Sequence, residues 1–302
     1  MYLLQKTYNQ PYLLLMMATL FWAGNAIAGK FAIGHVSPFA LTFLRWFVVV
    51  LIVAVIARRH VQQDWQTLKA NFGYLFILGA VGFTLFNNLM YLALTTTSAI
   101  NVTIIQSSLP FFIFVLNFIL FRVFVTKYQL LGFPITLFGV LLITTQGQSE
   151  ILTSLNFKPG DLIMLIAAIV YGLYSVLLNK KPNLHWLSLI AVLSCSAFVA
   201  STPFVVWEIV NQSVVWPDLV GWQIVIYTAI FASLLSQSFW IRSIDLIGSN
   251  ATGLFINLVP LIGTFLAILL LDEQLQAYHI IGLVMIIGGI LLSQRIARSK
   301  FV

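Results

Sequence analysis

The chain has 302 residues, of which 61% are hydrophobic and 8% are charged, and its formal net charge is +7. A water-soluble domain carries roughly a quarter of charged residues, so this composition excludes a mostly aqueous surface and indicates an integral membrane protein. The apolar runs are long and nearly continuous, which favours helices over the alternating strands of a membrane barrel. The single cysteine, Cys195, excludes an internal disulfide framework or a cysteine-ligated metal cluster.

Apolar segments long enough to cross roughly 30 Å of hydrocarbon predict an all-α membrane protein. Charges or turn formers such as Ser37-Pro38 and Lys180-Lys181-Pro182 separate most of them, whereas the break at 95–98 carries no charge. The first segment is too long for a signal peptide, so we interpret it as a membrane span. The ten predicted helices cover about residues 11–33, 37–57, 71–94, 98–121, 128–146, 160–179, 184–207, 219–241, 249–271 and 277–294.

The basic residues predict the orientation of these helices. With the N-terminus inside, twelve of the fifteen Lys and Arg fall on the inner side, Lys30 and Lys158 fall outside, and Arg45 lies within a helix. Because Lys and Arg concentrate in cytoplasmic loops, both termini are predicted to be cytoplasmic. The same loop placement explains the net positive charge without a nucleic-acid partner.

Two distant stretches of the chain resemble each other. Residues 98–142 align with residues 248–292 at an offset of 150 without a gap over 45 positions. The matching residues include Pro110 with Pro260, Tyr128 with Tyr278, Gly132 with Gly282, and Gly139 with Gly289. We interpret this as a duplication into residues 1–150 and 151–302, and an odd number of helices in each half makes the repeats inverted. A chance alignment of two unrelated hydrophobic segments is the alternative.

Small residues and prolines within the helices have structural and functional interpretations. Gly132 and Gly139, like Gly282 and Gly289, lie two turns apart on one helix face, which predicts close helix packing. Pro110 and Pro260 lie near the middle of predicted helices 4 and 9, where proline removes a backbone hydrogen bond and bends the helix. Both are candidate gating residues, and a kink that serves packing alone is an equally good interpretation.

Polar and aromatic residues recur at depth in both halves, which predicts a central cavity lined for a small amphiphilic solute. Interhelical hydrogen bonding alone is the alternative for any single member. The candidate substrate-binding residues are Trp22, Asn25, Arg45, Asn87, Tyr91, Asn101, Gln106, Tyr171, Tyr174, Gln237, Trp240 and Asn257.

Arg45 is the one basic residue predicted within a helix. It could snorkel to the interface or pair with Asp161 or Glu150, but its depth favours a side chain that faces the cavity, where it could bind a carboxylate. Mid-helix Asp and Glu are absent and all four His lie near predicted interfaces, so proton coupling through a buried acid is disfavoured. Asp161 is the remaining candidate, and both facilitated export and antiport stay open. No metal or cofactor is expected.

The pattern as a whole resembles the drug/metabolite transporter superfamily of EamA type. The resemblance rests on the start Leu20-Phe21-Trp22-Ala23-Gly24-Asn25, on Pro38 followed by Arg45, and on the order of proline, charged loop and glycine that ends each repeat. It implies a basket of helices 1, 3, 4, 6, 8 and 9 around a cavity, with helices 5 and 10 peripheral. Helix 4 ends at Arg122-Val123, where the family commonly has an acidic turn such as Asp272-Glu273.

The resemblance implies export of amino acids or similar metabolites across the bacterial inner membrane, by a monomer or homodimer in the lipid bilayer. Uptake or exchange of a nucleotide-like metabolite or a drug is the first alternative, although phosphate groups would favour several cavity cations. A membrane enzyme is the second, and no paired acids or His-Glu-x-x-His motif lies at depth. A channel is the third, and the predicted inverted repeat argues against it.

Overall fold

The computed structural model describes residues 8–97, 99–148, 150, 158–271 and 276–295, which form helices and turns without any strand. We label the long helices in chain order. The first are α1 (Pro11–Phe31), α2 (Pro38–Ile56), α3 (Phe72–Thr96), α4 (Ala99–Gln106 and Leu109–Phe121) and α5 (Lys127–Thr144). They are followed by α6 (Pro159–Leu177), α7 (Trp186–Val210), α8 (Leu219–Tyr227, Thr228–Leu235 and Ser236–Gly253), α9 (Leu258–Leu271) and α10 (Ala277–Ser293). The predicted acidic turn Asp272-Glu273 lies outside the described residues.

The helices begin and end where local chemistry allows it. Pro11, Pro38 and Pro159 each occupy the first turn of a helix, where the missing N–H needs no partner. Thr126 caps α5 by accepting a hydrogen bond from the backbone N–H of Gln129. Two short helices, Arg58–Gln63 and Trp65–Ala70, connect α2 to α3. They are too short and too polar to give a membrane-span signal, and the sequence did not predict them.

Eight helices within the described residues are long and apolar enough to cross a membrane, so the chain is a multi-pass membrane protein. One of them, Leu219–Leu266, is a 48-residue run, and Ala277–Ser293 is a shorter apolar helix. The long run is broken at Gly248, whose φ of 79° and ψ of 160° suit glycine alone. Helix α8 therefore continues past the predicted end at residue 241, because Arg242 and Asp245 stay helical beyond the apolar segment.

Helix irregularities occur within several of the long helices. A π-helical turn interrupts α3 at Ala80–Leu85, and another interrupts α8 at Thr228–Leu235. The helix of α4 breaks at residues 107–108, and the 3-10 turn Leu254–Asn257 precedes α9. The sequence predicted that Pro110 and Pro260 bend helices 4 and 9, and an irregularity lies just before each of them. Each proline lies in the first turn of the helical segment that follows, where its missing N–H is well tolerated.

The helices pack in antiparallel pairs. In the α5–α10 pair a Cβ added to Gly132 would lie 2.4 Å from the carbonyl oxygen of Gly289, and one added to Gly139 would lie 3.0 Å from that of Gly282. The predicted glycine faces are therefore in direct backbone contact. The same pairing joins α1 to α8, α3 to α6 and α2 to α7.

Carboxylates cap both helices of the α2–α7 pair. Glu208, near the end of α7, accepts hydrogen bonds from the backbone N–H groups of Phe39 (3.1 Å) and Ala40 (3.0 Å) at the start of α2. At the opposite end of the pair, Asp64 accepts one from the backbone N–H of His185 (2.9 Å) at the start of α7. Each helix thus begins against a carboxylate, supplied by the end of α7 in one case and by the turn between the two short helices in the other, which suits the positive end of the helix dipole.

Candidate functional site

A cavity of about 740 Å³ lies between the helices. It reaches the end of the bundle where α1 ends and α2 begins, and there the loop residues Gly34, Ser213 and Val215 line it. Every long helix except α7 contributes described residues to its lining. Its volume lies within the range of pockets that hold small organic ligands.

Arg45 is the centre of a hydrogen-bond network beside the cavity. The side chain is 2% exposed, and its Nε donates to Ser233 Oγ at 2.7 Å, within the π-helical turn of α8. Its Nη1 donates to Asn87 Oδ1 at 3.0 Å and to Tyr91 Oη at 2.9 Å. Tyr91 in turn donates to Asn25 Oδ1 at 3.2 Å. The network therefore joins α1, α2, α3 and α8 through one guanidinium.

All the described partners of the Arg45 guanidinium are neutral. Within the part of the chain that the structure describes, no carboxylate lies within ion-pair distance of it. The predicted alternative of a pair with Asp161 is therefore wrong. Asp161 instead accepts hydrogen bonds from the Asn101 side chain (3.0 Å), the Thr97 hydroxyl (2.5 Å) and the backbone N–H of Lys158 (2.8 Å). This cluster fastens the turn between α3 and α4 to the start of α6.

An aromatic cluster of Trp22, Phe86 and Tyr171 also lines the cavity. Trp22 meets Tyr171 edge-on, with ring centroids 6.1 Å apart, and Phe86 lies 4.6 Å from Tyr171. The Trp22 Nε1 donates to the carbonyl oxygen of Ala232 at 3.0 Å, which leaves its ring available for contact with a solute. The Tyr171 hydroxyl is buried beside the side chain of Gln237, which also lines the cavity.

The structure brings most of the predicted site residues together. The predicted residues that line the cavity are Trp22, Asn25, Arg45, Asn87, Tyr91, Gln106, Tyr171 and Gln237, together with Pro260. Their contact with a substrate stays a prediction. The remaining predicted residues, Asn101, Tyr174, Trp240, Asn257 and Pro110, are not among the lining residues.

Each predicted residue outside the lining has a structural partner or position. Tyr174 donates to Gln237 Oε1 at 3.3 Å and Trp240 donates to Ser175 Oγ at 3.3 Å, so both support the aromatic cluster from behind. Asn257 donates to Thr136 of α5 at 2.9 Å. Asn101 binds Asp161 as described above, and Pro110 is buried in the first turn of the second part of α4. The spacing of residues along one helix predicted that these side chains lie near the cavity. It could not distinguish the residues that line the cavity from those that pack behind the lining.

Several lining residues were missed by sequence reasoning. Phe86 and Met90 lie one turn apart on α3, next to the predicted Asn87 and Tyr91, and an ordinary apolar residue gives no binding signal. Tyr278 and His279 begin α10 and line the mouth of the cavity, although the resemblance implied a peripheral helix 10. The repeat alignment, which pairs Tyr128 with Tyr278, was the feature of the sequence that could have pointed to Tyr278 as a lining residue.

The opposite end of the bundle is closed by amides and hydroxyls. Asn117 of α4 donates to Ser249 Oγ at 2.7 Å and also to Asn250 Oδ1. Asn179, after α6, donates to Ser249 at 2.8 Å and to Asn117 Oδ1 at 3.3 Å. Nearby, the rings of Tyr12 and Phe255 stack at 5.9 Å. We call Asn117, Asn179, Ser249 and Asn250 the amide latch, and none of its members lines the cavity.

Charged groups outside the spans are paired at both ends. At the cavity mouth, the backbone N–H of Gly221 and the His35 ring (2.7 Å from the carboxylate) hold the pKa of Asp218 below its usual value. At the closed end Lys181 pairs with Asp245. Across the described residues, no group of three or more His, Cys, Asp or Glu side chains is placed to hold a metal ion.

Comparisons with known proteins agree with this architecture. The profile of the EamA-like transporter family matches residues 9–145 and 158–294. The uncharacterized transporter YyaM of Bacillus subtilis is 26% identical over 95% of this chain and 94% of its own length. A probable amino-acid metabolite efflux pump of Salmonella typhimurium is 23% identical over 92% of each chain. A solved crystal structure, 18% identical in sequence, matches the fold with a TM-score of 0.75 over 95% of this chain and 98% of its own. The chain therefore belongs to the EamA-like transporter family of membrane proteins.

Proposed function

We propose that this protein is a secondary transporter that exports a small amphiphilic organic metabolite, such as an amino acid, across the bacterial inner membrane by alternating access. The observation that carries the proposal is a cavity that reaches one end of the bundle, is closed at the other by the amide latch, and has Arg45 and an aromatic cluster at its base. Neutral amides, aromatic rings and one guanidinium suit a solute with an apolar body and a small polar group. The metabolite efflux pump among the relatives supports the export of this solute class.

We propose further that ten helices cross the membrane as two inverted halves, residues 1–150 and 151–302. The break at Gly248 supports two crossings within the run Leu219–Leu266, and the apolar helix Ala277–Ser293 supports another. The proposed two-fold operation would exchange the pairs α1–α8 and α3–α6, and it would also exchange the two glycine contacts of α5–α10 and the two carboxylate caps of α2–α7, so these contacts support it. The separate family matches to residues 9–145 and 158–294 support the same division.

The loop charges support an orientation in which both termini are cytoplasmic, so the cavity mouth faces the outside. The short helices Arg58–Gln63 and Trp65–Ala70 then lie on the inner side with Lys181 and Arg242. Alternation would open the amide latch and close the mouth, with the irregularities beside Pro110 and Pro260 as hinges. Because one chain contains the whole cavity, a monomer suffices for transport, and a homodimer would be two independent carriers.

Labelling of single introduced cysteines tests the architecture. Cys195 is first replaced by serine, and Thr126→Cys and Gln276→Cys are then made separately in that background. We expect a membrane-impermeant maleimide to reach Gln276→Cys from the outside and Thr126→Cys only after permeabilisation. Labelling of both positions from the same side would refute the inverted arrangement.

Resistance to toxic amino-acid analogues tests the function. Cells that overproduce the protein should survive higher analogue concentrations and accumulate less radiolabelled analogue than cells that overproduce Arg45→Gln at equal abundance in the membrane. Export of no analogue would contradict an amino-acid substrate. The nucleotide-like alternative is less well supported, because Arg45 is the only Lys or Arg among the described lining residues.

A further inference from the structure

The charges around the cavity lead to a narrower substrate class, and this inference rests on the proposed transport function. We propose that the transported solute is an organic monoanion whose carboxylate pairs with Arg45, and that the membrane potential drives its export without a coupled ion. The observations that carry the proposal are the position of the guanidinium, its neutral surroundings and the absence of acids from the described lining.

Arg45 is a buried cation without a counter-ion among the described residues. Its described hydrogen-bond partners, Ser233, Asn87 and Tyr91, are all neutral, and the Trp46 ring lies 5.6 Å from its guanidinium carbon. Charges at membrane depth are costly and normally pair with an opposite charge or serve a pathway. The Nη2 nitrogen makes no hydrogen bond within the described residues, whereas Nε and Nη1 are held in place. A carboxylate in the cavity would supply both the missing charge and the missing acceptor.

The rest of the described lining provides no comparable binding partner for a cationic solute. Among the described residues that line the cavity, none is Asp or Glu. The polar lining groups nearest Arg45 are the amide of Asn87 and the hydroxyl of Tyr91, and the aromatic cluster of Trp22 and Tyr171 receives the apolar body of the solute. An ammonium group placed there would lie near the guanidinium without a compensating acid. The cavity therefore favours a monocarboxylate over a zwitterion, and a zwitterion over an amine.

The negative charge of the solute also determines how the membrane potential acts on its transport. The described lining has no acid to carry a proton across, and its one histidine, His279, lies at the mouth. Outward movement of one negative charge is favoured by an interior-negative potential by about 2.3 kcal/mol per 100 mV, which corresponds to a concentration ratio of ~50-fold. A monoanion exporter thus needs no second ion to work against a gradient.

The first part of the proposal, that the solute is a monoanion that pairs with Arg45, is tested by the binding of compounds of different charge to the purified full-length protein. The probes are 3-phenylpropanoate, phenylalanine and phenethylamine, which share a ring and chain length but carry charges of about −1, 0 and +1 at neutral pH, together with a panel of aliphatic monocarboxylates and their matching amines. We expect thermal stabilisation to be greatest with the acids and least with the amines. Arg45→Gln should lose the preference for acids, and Arg45→Lys should retain part of it. Stabilisation by amines equal to that by acids, or no binding of any acid, overturns the proposal, and this comparison holds on the unmodified protein even if a variant fails to fold.

The second part of the proposal, that the membrane potential drives export without a coupled ion, is tested by measuring flux in proteoliposomes. Labelled acids that bind are loaded into vesicles, a potassium diffusion potential is imposed with valinomycin, and matched protein-free vesicles measure leakage. We expect an interior-negative potential to drive release toward the ~50-fold ratio per 100 mV, without a dependence on a proton gradient. Saturable flux of amino acids that ignores both the potential and Arg45→Gln would overturn this inference and leave the proposed transport function standing. Absence of saturable flux for every probe would overturn the proposed function itself.

Discussion

The α5–α10 contact makes a quantitative prediction about two adjacent glycines. A Cβ added to Gly289 would lie 2.6 Å from Thr136 Cγ2, 2.7 Å from the carbonyl oxygen of Gly132 and 3.0 Å from the backbone nitrogen of Thr136. Two of these atoms belong to the backbone of α5, so relief requires the helices to separate. A Cβ added to Gly288 would meet nothing within 4 Å. The two positions therefore share one helix and differ in the contact alone.

Each glycine is to be replaced by alanine. Overpacking costs about 1–3 kcal/mol, and the higher helix propensity of alanine returns up to about 1 kcal/mol. Gly288→Ala should therefore be neutral or stabilising, whereas Gly289→Ala should lose on the order of 1–2 kcal/mol. Thermal unfolding of both variants in the same detergent measures the difference. Equal melting temperatures would show that the backbones of α5 and α10 are not in contact, which would refute the reasoning.

Three further predictions concern the ends of the bundle. Glu208→Gln places an amide donor against the N–H groups at the start of α2, so it should destabilise the protein by roughly 1–3 kcal/mol in thermal unfolding, and an unchanged melting temperature would contradict the cap. Asn117→Ala removes the centre of the amide latch, so hydrogen exchange measured by mass spectrometry should rise in the segment 245–257, and unchanged protection would show that the latch does not hold the closed end. Burial and the stacked His60 ring, 3.6 Å away, lower the pKa of His185. The unfolded chain therefore binds more protons, and this part of the stability is lost as the pH falls through the unfolded-state pKa of about 6.5. His60→Gln should reduce the drop in melting temperature between pH 7.5 and 5.5, and an equal drop would exclude the pair as its cause.

Sequence periodicity and composition determined the helical membrane class, most of the helix positions and the glycine contacts. These features follow from properties that each segment has by itself: the length of an apolar run, the turn chemistry of proline, and the spacing of small residues on a helix face. The offset of 150 aligned Gly132 with Gly282, but it did not predict which glycines meet: in the antiparallel α5–α10 pair Gly132 contacts Gly289 and Gly139 contacts Gly282.

The tertiary structure alone decided which polar residues face the cavity. Asn87 and Asn257 give the same signal in sequence, yet Asn87 binds Arg45 in the lining and Asn257 binds Thr136 behind it. The rotation of each helix about its axis depends on the helices packed against it, and the carboxylate at the start of α2 comes from Glu208, 168 residues away in the chain. Only the assembled bundle could show that the guanidinium of Arg45 lies beside a cavity and has no acid within ion-pair distance among the described residues, because that fact depends on several helices at once.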